Sequence, residues 1–365
     1  MSRLAEILPR RLDLRLLALA LVLTAIGIAM VISTTAGTPR AGLGTRQAIA
    51  AGLGLLGAVL LIVVDYRILL QYSPGIFALS LLPLVYLPLF GRRIAGAKSW
   101  ITVSGFQFQP SELTRLAVAL LVAWILENDD RAFLRGRTIG ALAFAVGLPM
   151  LLIMFQPDLG VALTYAPFLV AALFFGGFRA RFWGILAITG LLAMGGSWFF
   201  LKEYQKDRIR TFLDPDTASQ GAGYQVRQAR IAIGSGGILG KGWQKGSQSQ
   251  LGFLPVRHTD FIFAALAEEW GFVGVFVILS LYLAFVLRGL TIARDARDRG
   301  GTILVLLLVT NLAVQAMVNV AMNLGLVPTT GITLPFLSYG GSSMLATWGM
   351  VGLILSVGYR RFVNV

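Results

Sequence analysis

Long runs of apolar residues alternate with short polar segments along the chain. Each run has the length of a membrane-crossing helix, about 17 to 20 residues, and none follows the period of two that a membrane β-strand requires. The sequence therefore predicts an all-α integral membrane protein with about ten transmembrane helices. We expect the spans near residues 16–34, 47–64, 74–90, 111–126, 139–155, 160–176, 183–201, 271–287, 302–323 and 343–358.

The positions of Lys and Arg between the spans predict an orientation. Sixteen of them lie in the termini and in the loops on the same side, against five in the opposite short loops. Because positive charge is retained on the cytoplasmic side, we predict a multi-pass protein of the bacterial cytoplasmic (inner) membrane with both termini in the cytoplasm. One long loop between the seventh and eighth spans, about residues 202–270, is then extracytoplasmic, and a single domain accounts for residues 1–365.

The composition narrows the class of protein further. Hydrophobic residues make up 56% of the chain and charged residues 13%, with a mean hydropathy of +0.77, too little charge to cover a soluble protein of 365 residues. The net charge of +14 lies mainly in short loops, which argues against a nucleic-acid partner. The chain has no Cys and one His, so thiolate chemistry and multi-histidine metal sites are excluded.

Polar residues of the predicted outer side flank the start of the fourth span. Lys98 and Trp100 precede it, and Glu112 and Arg115 lie just inside it, three residues apart on one helix face. Charges at this depth are costly unless they pair or face a wet cavity. The pair can be a structural ion pair, a wall of a polar cavity, or both.

Two further outer segments hold charged candidates. Asp158 lies in a tight turn between the fifth and sixth spans, where capping of the sixth helix is its more expected role. In the long loop, Arg208 and Arg210 would point to the same side of an extended segment, a geometry suited to a pyrophosphate. A solvated or headgroup-facing basic pair explains the same spacing equally well.

Asp260 lies where the long loop gives way to the eighth span. A carboxylate at such a boundary can have a raised pKa and act as a general base, and it can equally cap a helix. If helix continues from Asp260, Glu268 lies about 80° round the axis and two turns deeper. Adjacent Glu268 and Glu269 point to different faces, so at most one of them can join the Asp260 site.

Two long motifs and four short ones resemble a known family. Residues 319–343 read NVAMNLGLVPTTGITLPFLSYGGSS, and the segment around Asp260 reads FLPVRHTDFIFAALAEEWG. Together with AGAKSW, QPSELTR, QPDLG and RIRTFLDP, in this order, they resemble the shape, elongation, division and sporulation (SEDS) family over nearly the whole chain. The segment QSQLGFLPVRHTDFIF is more similar to the elongation branch of that family than to its division branch.

The resemblance implies an inverting peptidoglycan glycosyltransferase that uses lipid II as donor and acceptor, with a class B penicillin-binding protein as its transpeptidase partner. Asp260 matches the family's catalytic aspartate. The chain departs from the family at Val256, where Glu is usual, at Gly252, often acidic, and at Arg115, often Lys. The expected substrate-binding residues are Lys98, Trp100, Glu112, Arg115, Asp158, Arg208, Arg210, Glu268 and Ser338.

Two other functions stay open at this point. A lipid flippase or transporter would suit a ten-helix body, although few polar residues are evident near the midplane of the spans. A noncatalytic scaffold for the penicillin-binding protein would leave Asp260 free to change. A divalent cation, Mg²⁺ or Mn²⁺, would suit a pyrophosphate substrate, but no ligand spacing in the sequence specifies one.

Overall fold

The computed structural model describes residues 12–91, 97–103, 106–129, 131–197, 199, 206–207, 209–210, 212 and 222–361. Within them the chain is almost entirely helical. The elements in chain order are α1 (Leu14–Thr35), α2 (Leu43–Val63), α3 (Tyr66–Gln71), α4 (Ser73–Phe90), β1 (Ile101–Val103), β2 (Phe106–Phe108), α5 (Pro110–Glu127), α6 (Gly136–Phe155), α7 (Leu159–Leu163), α8 (Ala166–Phe175), α9 (Arg181–Ser197), α10 (Ala222–Ser235), α11 (Ser247–Gln250), α12 (Ile262–Arg294), α13 (Arg299–Asn323) and α14 (Gly341–Arg360).

The predicted all-α membrane fold is confirmed. Seven described helices, α1, α2, α4, α6, α12, α13 and α14, are long and apolar enough to cross a membrane. The other three predicted spans are also helical. Charged side chains interrupt the apolar run of α5, the sixth span divides into α7 and α8, and α9 is 17 residues long.

The predicted start of the eighth span, residue 271, coincides with a break in α12. Helix α12 begins at Ile262, but the backbone of Gly271 is non-helical, with a φ of 65° and a ψ of −164°. The amides of Phe272 and Val273 donate to the carbonyls of Gly237 and Ile238, at 2.9 and 3.1 Å, and not to the preceding helical turn. Residues 262–269 are small or apolar apart from the two glutamates and are all buried, so they form helix before the glycine rather than loop. The predicted long loop, about residues 202–270, therefore contains α10, α11 and the first part of α12.

Small residues allow the helices at the centre of the bundle to approach closely. A Cβ on Gly352 of α14 would lie 2.7 Å from the Cα of Ala58 in α2, and one on Gly54 would lie 2.9 Å from the Cβ of Trp348. Helix α14 is buried along most of its length, whereas α2 keeps an exposed apolar face on which Leu60 is 59% exposed. A body that is apolar inside and outside is what a helix bundle in lipid requires.

Charged residues bind the elements together at one end of the bundle, which we name the far end. Arg288 of α12 donates to Asp13 at 2.6 Å, and Asp298 accepts from Arg67 at 2.9 Å and from Tyr66 at 2.5 Å. The opposite end, named the Asp260 end, carries the β1–β2 hairpin, the start of α7, the segment 251–261 and the loop 324–340. The hairpin is antiparallel with Ile101 opposite Phe108.

Candidate functional site

A compact turn brings Asp260 to the start of α12. The amide N–H groups of Thr259 and Phe261 both donate to the carbonyl of Val256, at 3.2 and 3.3 Å. Phe261 is the N-cap residue, and its own side chain makes no capping hydrogen bond. Asp260 is half-buried and directly precedes the N-cap residue of α12.

Two amide side chains of α13 hold the backbone of Asp260. The Nδ2 atoms of Asn319 and Asn323 each donate to the Asp260 carbonyl oxygen at 3.0 Å. Asn323 also accepts from the amide of Ala264 at 3.1 Å, which satisfies one of the first N–H groups of α12. Both asparagines are fully buried, so this clamp is shielded from water.

The loop 324–340 holds the same turn from its other side. Ser338 donates its hydroxyl to the carbonyl of Thr259 at 2.6 Å, and the amide of Tyr339 donates to the carbonyl of His258 at 2.8 Å. Gly331, whose φ is +74°, lies beside the carboxylate, because a Cβ there would be 3.7 Å from Oδ2 of Asp260. The structure thus places Ser338, one of the expected substrate-binding residues, in a buried position that orients the turn.

The predicted pair of Glu112 and Arg115 is confirmed as a buried ion pair. Glu112 is 5% exposed and Arg115 is 1% exposed. The guanidinium also donates to Oε1 of Gln315 at 2.7 Å, and Nε2 of Gln315 donates to the carbonyl of Thr333 at 3.1 Å. A polar connection therefore runs from α5 through α13 to the loop that flanks Asp260.

The predicted capping role of Asp158 is also confirmed. Its Oδ1 accepts from the amide of Val161 at 3.3 Å at the start of α7, and its Oδ2 accepts from Nε2 of Gln109 at 3.1 Å. A Cβ on Gly160 would lie 1.8 Å from the carbonyl oxygen of Thr330. Only glycine permits this approach, which brings the Asp158 turn against the loop beside Asp260.

Lys98 and Trp100 lie on the approach to the hairpin at the same end. The ammonium of Lys98 donates to the carbonyl of Pro88 at 2.9 Å, and its amide donates to Gln156 at 3.2 Å. Trp100 is half-buried immediately before β1. Lys98 is therefore held near the Asp158 turn.

Glu268 is bound by residues of the loop 241–249. It is fully buried, and its carboxylate accepts from Lys241 at 2.8 Å and from the amides of Gln248 and Ser249 at 2.8 and 2.9 Å. Its contacts anchor the loop 241–249 to α12. The adjacent Glu269 accepts from the hydroxyl of Ser33 at 2.6 Å and so holds the end of α1.

The predicted extended geometry of the basic pair in the long loop is wrong. Ile209 and Arg210 are helical, because Arg210 pairs with Asp207 one turn earlier at 3.1 Å. Arg208 lies outside the described residues. The Arg210 side chain is 56% exposed.

The only histidine lies beside Asp260 in a neutral state. Burial, together with the positive charges of Arg40 and Arg257, lowers the pKa of His258 to about 4. Its ring lies 5.9 Å from the ring of Tyr339. Among the described residues, no group of three or more His, Cys, Asp or Glu side chains is arranged to hold a metal ion.

Sequence reasoning missed a line of buried amides on α13. They occur at every fourth position, a spacing that marks one face of a helix and was readable in the sequence. Each donates to a backbone carbonyl of a packed element, so the amides fix neighbouring segments of the chain. They are Asn311, Gln315, Asn319 and Asn323. Asn311 and Gln315 also line a cavity of about 240 Å³.

Comparisons with known proteins agree with this arrangement. A model of the FtsW/RodA/SpoVE family, described as cell cycle proteins, matches residues 13–361. The peptidoglycan glycosyltransferase MrdB of Escherichia coli K12 is 37% identical over 321 residues, covering 88% of this chain and 86% of its own. A probable peptidoglycan glycosyltransferase FtsW of Trichlorobacter lovleyi is 38% identical over 358 residues, covering 94% and 92%.

Two solved structures share the whole fold. One comes from a study of the structural coordination of polymerization and crosslinking by a peptidoglycan synthase complex. Its matching chain has a TM-score of 0.83 at 33% identity, and the match covers 97% of this chain and 99% of that chain. The crystal structure of the Thermus thermophilus rod shape determining protein RodA has a TM-score of 0.72 at 31% identity, with 97% and 98% covered.

Proposed function

Because this chain belongs to the FtsW/RodA/SpoVE family, which is the SEDS family, we propose that it is a peptidoglycan glycosyltransferase that polymerises lipid II into glycan strands. The observation that carries the proposal is the position of Asp260. Its backbone is clamped by two buried asparagines, while its side chain stays half-buried beside the loop 324–340. A fixed carboxylate at the mouth of a membrane bundle suits proton abstraction from a lipid-anchored substrate.

The chemistry is a single displacement. A sugar hydroxyl of the acceptor attacks the anomeric carbon of the donor, its proton passes to the Asp260 carboxylate, and the bond from that carbon to the pyrophosphate oxygen breaks. The leaving group is the undecaprenyl pyrophosphate. Direct attack inverts the anomeric centre, so an α-linked donor gives a β-linked strand. A positioned general base typically contributes about 10²–10⁴ to such a rate.

Cationic side chains are the natural partners of the leaving pyrophosphate, because fixed positive charge stabilises the negative charge that develops on it. Lys98 lies at the Asp260 end, beside Pro88 and Gln156. Arg208 and Arg210 belong to the predicted outer segment of the sequence. Arg115 is already paired with Glu112, so we assign it to the wall of the site. Mg²⁺ or Mn²⁺ would suit the pyrophosphate, but the described carboxylates do not form a ligand set, and we derive no step through a metal ion.

The proposed partner is a class B penicillin-binding protein that crosslinks the nascent strands. The likeness to a chain of a peptidoglycan synthase complex supports this assembly. MrdB is 37% identical in sequence to this chain and FtsW 38%, so overall identity does not separate the elongation branch from the division branch. The segment QSQLGFLPVRHTDFIF favours a role in cell elongation and rod shape, which predicts round cells rather than filaments on depletion.

The Asp260 end faces the outside in this proposal, and both termini lie in the cytoplasm. The excess of Lys and Arg at the far end supports this orientation. Reporter fusions after Arg131 and Arg294 should then report cytoplasm, and a fusion near Gln220 should report the exterior. A cytoplasmic signal at Gln220 would overturn the assignment of the site.

One experiment separates polymerase, flippase and scaffold. The purified chain is given fluorescent lipid II, first in detergent micelles and then in sealed vesicles. A polymerase yields glycan strands in both, a flippase moves labelled lipid across the vesicle membrane without polymer, and a scaffold does neither. We expect polymer. Transbilayer movement without polymer would contradict the proposal.

A further inference from the structure

Two short loops of the far end enclose a basic pocket of about 620 Å³. The loops join α5 to α6 and α8 to α9, and three arginines and three phenylalanines line the pocket. Among the described residues that line it there is no carboxylate. The carboxylate of Asp129 lies next to it, with Oδ1 3.9 Å from Nη1 of Arg131. These arginines and phenylalanines are Arg131, Arg135, Arg179, Phe133, Phe178 and Phe182.

The pocket is a built feature of the fold, because the two loops are bonded to each other. The amide of Leu134 donates to the carbonyl of Gly177 at 3.4 Å. Gly177 has a φ of +86°, and a Cβ there would lie 2.4 Å from the carbonyl oxygen of Ala132. No other residue permits both the conformation and the approach. Arg131, Arg135 and Arg179 are thereby held around one space.

The start of α6 adds to the positive potential. Arg135 is the N-cap residue of this 20-residue helix, and no side chain caps its first N–H groups. These donors and the helix dipole favour an anion at this position. The pocket therefore combines guanidinium groups with free backbone donors, the usual means of binding a phosphate.

A second, apolar groove of about 450 Å³ lies near the pocket, with an aromatic contact between the two linings. It lies between α8, the start of α9 and Thr310 of α13. Trp183 connects the two spaces, with its ring 5.4 Å from that of Phe178 in the pocket and 6.4 Å from that of Phe174 in the groove. Phe174 is 67% exposed, so the groove is open to lipid.

We propose that the pocket and the groove together bind one anionic phospholipid. Its phosphodiester occupies the arginine pocket, and one acyl chain lies in the groove against α8 and α13. Charge complementarity selects the headgroup, and aromatic side chains at the membrane interface hold the glycerol region. Because α13 also carries Asn319, the bound lipid supports the helix that clamps Asp260.

The test uses the full purified chain in neutral detergent and native mass spectrometry. Dioleoyl phosphatidylglycerol and dioleoyl phosphatidylcholine compete for the protein at equal concentration. We expect wild type to retain phosphatidylglycerol by at least about tenfold over phosphatidylcholine, which is about 1.4 kcal/mol. The double variant Arg135→Gln/Arg179→Gln should lose this preference. Arg294→Gln is the matched control, since Arg294 lies at the same end, is 79% exposed and does not line the pocket.

A second variant tests the groove without touching the charges. Val170→Trp should lower retention of phosphatidylglycerol while leaving the weak binding of soluble glycerophosphate unchanged, since Val170 lines only the groove. A wild-type protein with no preference between the lipids, or a double variant that keeps the preference, would overturn the proposal. Displacement of the lipid by inorganic phosphate at equal concentration would also overturn it, because the site would then be a plain phosphate site.

Discussion

Removal of the charge of Glu112 should destabilise the bundle and disturb the site together. Glu112→Gln leaves the Arg115 guanidinium, 1% exposed, without its counter-charge and with only Gln315 as a described hydrogen-bond partner at 2.7 Å. Breaking a buried pair by removing one partner costs about 3–5 kcal/mol. Because the bond to Gln315 persists, we expect the lower end of that range, about 3 kcal/mol.

A double-mutant cycle measures the interaction energy between Glu112 and Arg115. Arg115→Gln alone leaves Glu112 unpaired and should cost a similar amount, whereas Glu112→Gln/Arg115→Gln removes both charges. The double variant should therefore be less destabilised than the sum of the single variants by at least about 2 kcal/mol. Asp207→Asn is the matched control, since its pair with Arg210 is exposed on both sides and such pairs contribute about 0–1 kcal/mol.

The assay is denaturation in mixed micelles, followed by helix content, with polymerisation of lipid II measured on the same preparations. Glu112→Gln should still insert and purify monodisperse, and it should lose polymerase activity because Gln315 also holds Thr333 beside the site. If the losses of stability of the two single variants add up to that of the double variant, the interaction between Glu112 and Arg115 is refuted. Full activity with lowered stability would restrict the pair to a structural role.

Three further changes test other parts of the site. Asn319→Ala removes half of the clamp on the Asp260 carbonyl and should lower kcat by at least about tenfold with KM little changed; a change in KM alone would contradict a positioning role. Glu268→Gln should release the loop 241–249, so limited proteolysis should cut there faster than in wild type. The pKa of His258 is about 4 in the folded chain against an ordinary 6.5, so the folded state binds fewer protons and stability should fall as pH drops from 6.5 toward 4; His258→Gln should flatten that dependence in thermal unfolding.

Local features of the fold were predictable from the sequence. The apolar runs gave the spans to within a few residues, and the spacing of Glu112 and Arg115 gave their pairing because both lie on one helix turn. The cap at Asp158 followed from a polar residue directly before an apolar run. The start of the eighth span at residue 271 coincides with the break at Gly271, whereas the helix that begins at Ile262 before it was assigned to the long loop.

Long-range partners were beyond the reach of these patterns. Asn319 meets the carbonyl of Asp260 across 59 positions of sequence, and Ser33 meets Glu269 across 236. Nothing in the spacing of Glu268 shows that Lys241 and two backbone amides will enclose it, since that depends on how the loop 241–249 docks. The regular spacing of amides on α13 predicts a buried polar face but not the carbonyls that it holds.

The polymerase activity of Asp260→Asn tests the central claim most directly. The variant keeps the shape of the side chain and the clamped backbone, so it should fold, insert and bind its penicillin-binding protein, and yet make no glycan polymer from lipid II, a loss of at least about a hundredfold. His258→Ala, two residues away, should retain measurable activity. If Asp260→Asn polymerises near the wild-type rate, the account is contradicted, because Asp260 is then not the general base.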